Sequence, residues 1–185
     1  MQEFIGTKRV LATPMNRRDY NTYRGWDLPK DENGDDEGFL VEYLDGGAAN
    51  DDRHPGYISW TPADVLHNAY QILSRMSFGH AIEMLKLNRA VARAGWNEKG
   101  MFLYLVPAPE QGYPAQTGVA KAFFGEGALV PYGAYIAMKT ATGEVVPWLA
   151  SQTDVLADDW AVVYLEEKPG VDPGITGPAG LSGPL

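Results

Sequence analysis

A chain of 185 residues with 45% hydrophobic and 11% aromatic side chains has material for one large core or two small ones, which excludes wholesale disorder. It holds no cysteine, so disulfides, thiolate chemistry and most structural zinc sites are excluded, and a reducing compartment is expected. The formal net charge is −9, with 8 basic and 13 acidic residues over 1–75 and 7 and 11 beyond. Neither half is a basic module, which disfavours nucleic acid polymers while leaving room for a small anionic ligand in a locally positive pocket. The opening residues MQEFIGTKRV carry no apolar signal core, and no run approaches the roughly 18 apolar residues of a membrane span. A soluble intracellular protein with no membrane partner is expected.

Residues 8–13, KRVLAT, read as a short strand stopped by Pro14, followed by a polar helical turn from Arg17 to Tyr23. After the acidic loop DLPKDENGDDEG come a second strand, GFLVEYL (38–44), a long loop and a third strand, GYISW (56–60). Thr61 as N-cap and Pro62 at the first helical position then predict a helix to about Leu73, its apolar face marked by Val65, Leu66, Ala69, Tyr70 and Leu73. Together these form a small α+β module over residues 1–74.

Ser77 is the next N-cap candidate, and Phe78, Ala81, Ile82 and Leu85 fall at helical spacing. Asn88 suits a left-handed C-cap. AVARAGW (90–96) and MFLYLVP (101–107) read as paired strands around a turn at 97–100, and a Gly- and Pro-rich connection at 108–131 leads to AYIAMKT (134–140). A hairpin turn at Thr140 to Gly143 enters EVVPW, Ser151 with Asp154 predicts a capping box for a helical turn through Leu156, and WAVVYLEE (160–167) closes the unit. Glycine recurs every third residue from Gly174 to Gly183, four triplets being too few for a collagen helix, so residues 168–185 read as a flexible tail.

For catalysis the residues offer little. Asp31, Asn33, Asp35 and Glu42 fall at calcium-loop spacing, but the glycine at the sixth position is missing and Glu42 sits in a strand, so a solvated acidic loop is expected instead. His54, His67 and His80 fit no metal-ligand spacing, and no nucleophile elbow or phosphate-binding glycine pattern follows a strand. No catalytic residue, metal or cofactor is expected. Trp26, Tyr43 and Trp60 read as core aromatics of the first module.

The stretch VPWLASQTDVLADDW is different, because it sets hydrogen-bonding side chains between two indoles. Trp96, Trp148 and Trp160 suit stacking on a nucleobase, and hydroxyls, amides and a helix N-terminus suit ribose and phosphate. The same residues also serve plainer ends, with Trp160 leading a strand into a core and Ser151 and Asp154 capping a helix.

The segments SFGHAIEMLKLNRAVARAGWNEKGMFLYLVP and IAMKTATGEVVPWLASQTDVLADDW closely resemble the Thoeris anti-defence sponge family of phages, in its second type, over about half the chain. The resemblance implies a helix on an antiparallel sheet across residues 76–167 and assembly into homotetramers. It implies a protein of the host bacterial cytoplasm that binds cyclic nucleotide-derived immune signals, chiefly glycocyclic ADP-ribose and in some members cyclic oligonucleotides, without cleaving them. The ligand-facing set it implies here is Phe78, Trp96, Asn97, Trp148, Ser151, Gln152 and Asp154. Arg93 and Lys99 are added, from their chemistry alone, as candidates for phosphate charge. The first module resembles a recurrent phage-encoded unit with no established activity. A structural phage protein and a hydrolase of the same signals are the competing readings.

Overall fold

The computed structural model describes residues 1–97 and 99–165, so the tail expected at 168–185 lies outside the described residues. The chain divides into two units, Met1–Gln71 and Ile72–Leu185.

In the first unit, alternating apolar residues build a three-stranded antiparallel sheet in the order β1 (Val10–Pro14), β2 (Gly38–Tyr43), β3 (Ile58–Pro62). Between β1 and β2 runs helix α1 (Arg17–Arg24). Asn16 caps its start by accepting from the Asp19 N–H, and Gly25 ends it at φ 71°, a conformation glycine adopts at no steric cost. Tyr20 of α1 packs with Leu40 and Ile58 to form the core, flanked by Met15, Tyr23 and Trp60. Helix α2 (Ala63–Ala69) follows β3 directly.

Three expectations for this unit are corrected. Thr61 does not cap α2: Thr61 and Pro62 belong to β3, opposite Phe39 and Gly38, so the ladder keeps them extended and Pro62 occupies the cap position with no side-chain bond. The helix stops at Ala69, not near Leu73, because Tyr70 is extended. Trp26 is not core but 53% exposed, its ring covered by the Arg24 guanidinium 4.4 Å from the centroid and edged by Tyr20. The position inside is taken by Tyr20, one α1 turn from the cap.

The second unit is a helix on a five-stranded antiparallel sheet, which makes the whole chain α+β. Helix α3 (Phe78–Lys86) buries Ala81, Met84 and Leu85, the i, i+3, i+4 stripe of an amphipathic helix. Ser77 precedes it in extended conformation, but its hydroxyl bonds His80 Nδ1 at 3.1 Å and makes no cap bond to the backbone. Asn88 then turns the chain at φ 58° into β4 (Ala90–Arg93). That strand ends three residues before the expected Trp96, in a helical turn α4 (Ala94–Asn97). β5 (Phe102–Val106) pairs with β4.

The connection expected at 108–131 has structure of its own: a ribbon of β6 (Tyr113–Pro114) and β7 (Leu129–Val130) joined through helix α5 (Gly118–Phe124), which Thr117 caps. No residue of α5 is buried. The hairpin β8 (Tyr135–Lys139) and β9 (Val145–Pro147), the turn α6 (Gln152–Val155) and β10 (Trp160–Val163) complete the order β10-β4-β5-β8-β9. β10 is shorter than the expected 160–167. Its outer side is bonded by the chain entering the unit: Met76 and Trp160 exchange both backbone bonds, at 2.7 and 3.0 Å, and the Val162 N–H donates to Leu73. Ile72–Arg75 accordingly fall in the second unit.

Among the described residues no helix is long and apolar enough to cross a membrane.

Candidate functional site

Four aromatic side chains of the second unit converge from four elements. Phe78 opens α3, Trp96 lies on the α4 turn, Trp148 follows β9, and Trp160 opens β10. Trp160 is fully buried, the largest side chain of a core shared with Met76, Leu85, Val91 and Leu103. Phe78 and Trp96 sit 5.3 and 5.4 Å from it, and Trp148 6.0 Å, in tilted and edge-to-face contacts. Trp148 also meets the other two, Phe78 at 5.9 Å and Trp96 at 6.2 Å, and all three rings stay partly exposed. The result is an aromatic wall with a dry foundation and open ring area. Edge-to-face packing fixes ring orientation, which suits a surface that must receive a flat partner.

Beside this wall stands the α6 turn. The capping box read from sequence is present: the Ser151 hydroxyl accepts the Asp154 N–H at 3.1 Å, and the Asp154 carboxylate receives the Ser151 N–H and O–H. The turn is tied to the wall because the Trp160 indole N–H donates to the Asp154 carbonyl at 3.0 Å. Arg93, at the end of β4, donates to Asp154 at 3.1 Å and to Asp159 at 2.8 Å.

That network sets the local charge. Burial works against ionised Asp154, but the Ser151 hydroxyl, Arg93 and the Ser151 N–H outweigh it and hold the carboxyl below its ordinary range. The bond to Asp159, opposed by burial and joined by that to Asp154, holds the Arg93 guanidinium above its ordinary value. Arg93 is therefore a compensated cation, and two carboxylates share it.

Of the residues expected to face a ligand, Phe78, Trp96 and Trp148 form the wall, with Ser151, Gln152 and Asp154 on the neighbouring turn. Gln152 is exposed at the first position of α6, and the cap uses nothing of its amide. Lys99 is exposed just past the α4 turn, its backbone N–H bonded to the Trp96 carbonyl at 2.9 Å. Asn97 ends α4, its side chain outside the described residues. Sequence reasoning missed Asp159, whose only signal is its place one residue before the strand that pairs with β4.

The first unit holds a different constellation. An open cleft of about 650 Å³ is lined by Arg24, Ala49, Asn50, Asp51, Asp52 and Arg53, away in sequence from every residue of the aromatic wall. Asp51 is held far below the ordinary carboxylate range, chiefly by the side chain of Arg53. Beside it His54 is hydrogen-bonded to both Tyr23 and Glu42. Among the described residues no cluster of three or more His, Asp or Glu side chains has metal-binding geometry.

A family model described as the Thoeris anti-defense 2-like domain matches residues 76–163. A protein of Bacillus phage SP01 described as "Thoeris anti-defense 2" is 43% identical over 94 residues, which span 49% of this chain and 97% of that protein. The family-model match lies within the second unit and includes the wall, the capped turn and Arg93.

Proposed function

Because the chain belongs to the Thoeris anti-defense 2-like family, we propose that it is a phage protein acting against the Thoeris defence. In this reading it binds cyclic nucleotide-derived immune signals, glycocyclic ADP-ribose first and cyclic oligonucleotides second, and withholds them uncleaved in the host cytoplasm. The observation that supports it most is the aromatic wall: Phe78, Trp96 and Trp148 left partly open around buried Trp160. Indole faces stack on a purine with little cost in ordering, and the hydroxyl and amide of Ser151 and Gln152 stand beside them for ribose. With Arg93 compensated by Asp154 and Asp159, Lys99 is the freer cation for a phosphate.

Assembly into a homotetramer belongs to the same proposal. Support comes from apolar side chains left exposed on the second unit: Val119 and Phe123 of α5, Val145 and Val146 of β9, Leu149 and Leu156. Among the described residues β9 is also an edge strand of the sheet.

The test is depletion. The protein is incubated with glycocyclic ADP-ribose or a panel of cyclic oligonucleotides, filtered away, and then heated to release what it held. Recovery of intact ligand supports a sponge, a changed ligand mass supports hydrolysis, and no depletion across the panel sinks the reading. Trp148→Ala is expected to weaken capture by about 1–3 kcal/mol if its ring stacks on a base.

A further inference from the structure

Glu42 is one of two buried polar residues among those described, 7% exposed in the middle strand of the first unit. A carboxylate there needs donors. Its Oε1 accepts the Gly56 N–H at 3.1 Å, and its Oε2 lies 2.9 Å from Nδ1 of His54. A carboxylate only accepts, so Nδ1 carries a proton, and in the neutral form of the ring Nε2 is an acceptor. The Tyr23 hydroxyl lies 2.8 Å from Nε2 and donates to it in that form. Carboxylate, imidazole and hydroxyl come from β2, the 44–57 loop and α1, and they stand in the order of an acid–base relay. In such a relay the imidazole takes the hydroxyl proton while the carboxylate fixes its tautomer and stabilises the imidazolium.

The surroundings define what could react. The Arg53 guanidinium lies 3.6 Å over the Tyr23 ring and donates to the Tyr23 carbonyl at 2.7 Å. Arg53 also lines the neighbouring cleft with Arg24, Asp51 and Asp52. Two guanidiniums and two carboxylates leave that lining without net formal charge, which favours an uncharged electrophile over a phosphate.

We propose that the Glu42–His54–Tyr23 relay makes the Tyr23 phenol a nucleophile toward uncharged, activated acyl esters, an acyl-accepting site in the first unit. In the step, Tyr23 Oη bonds to the acyl carbon while the bond from that carbon to the leaving oxygen breaks. The bonding pair departs with the leaving oxygen, and the phenolic proton rests on His54 Nε2 before passing to it. Nothing is oxidised or reduced. The site is independent of signal capture in the second unit.

Brief exposure of the full chain to p-nitrophenyl acetate, followed by peptide mapping, tests this. Tyr23 is expected to gain an acetyl group at least about tenfold faster than the exposed Tyr57 and Tyr164. His54→Gln and Glu42→Gln are expected to bring Tyr23 down to the rate of Tyr57. The wild-type ranking decides even if a variant folds poorly: Tyr23 reacting no faster than Tyr57 overturns the proposal. An acetyl group found on His54 and not on Tyr23 overturns it, as does fast labelling of Tyr23 that survives in both folded variants.

Discussion

In the second unit the largest fully buried side chain is an indole, Trp160, packed with Met76, Leu85, Val91 and Leu103, and the ion pairs of Arg93 lie where β4 ends. In the first unit the middle strand carries the Glu42 carboxylate inward, and the two buried polar residues among those described, Asn21 and Glu42, both belong to it. The difference follows from size and shape. Three strands and two short helices bury Tyr20, Leu40 and Ile58 as one small apolar cluster, with Val41 and Leu66 buried outside it, so the 44–57 loop is fastened by polar contacts. Asn50 does this by bonding both the N–H and the carbonyl of Ile58, and Glu42 does it through Gly56 and His54. Where a core is large, polar chemistry is free to sit at its rim and meet solvent. Where a core is small, polar chemistry is drawn inside and becomes part of what holds the fold.

Trp160→Ala tests the larger core most severely. It is expected to cost about 3–5 kcal/mol, read by chemical denaturation, since a fully buried indole leaves a cavity that β-strands cannot collapse into. A loss under about 1 kcal/mol would deny the second unit its apolar centre. Glu42→Ala probes the opposite strategy, and stranding the Gly56 N–H and the His54 ring is expected to cost about 2–3 kcal/mol in a urea titration. A neutral result would mean the first unit is not held by its buried carboxylate.

Asp154→Ala removes a cap and one partner of Arg93, for an expected loss of about 1–2 kcal/mol at neutral pH. Its pH dependence has a definite sign. The folded Asp154 carboxyl lies below its ordinary 3.8, so its contribution is complete above that value and is lost as pH falls through the lower folded value. The gap between wild type and variant is therefore expected to hold at about pH 6 and to close in acid below the ordinary value. A gap unchanged in acid would show that the carboxylate charge contributes nothing. Gln152→Ala is the mildest change. Stability is expected to move by less than about 0.5 kcal/mol while signal capture weakens, because the amide is exposed and the cap does not use it. Loss of stability without loss of capture would reverse the assignment.

What was legible beforehand was local. The spacing of Ala81 and Leu85, the left-handed Asn88 and the Ser151–Asp154 box depend on residues within a turn or two of each other, and each is found in place. Helix α5 escaped notice because its exposed Val119 and Phe123 make no buried stripe, and periodicity is read from buried faces. The Thr61–Pro62 pair has the chemistry of a helix start, yet the ladder with Phe39 and Gly38 keeps it in the strand. Long-range ties were out of reach for another reason. Arg93 meets Asp154 and Asp159 across 61 and 66 residues, and Tyr23 meets His54 across 31, distances over which residue type carries no signal of proximity. His54 looked solitary along the chain and stands between two partners in space.

The pair of backbone hydrogen bonds between Met76 and Trp160 places the entry of the second unit beside β10, the last strand among the described residues. Met76 is itself part of the core, so the residues leading into the unit help to close its interior. The matched stretch fills 97% of the SP01 relative and 49% of this chain, so the two differ by a length of chain that stands outside this closed core.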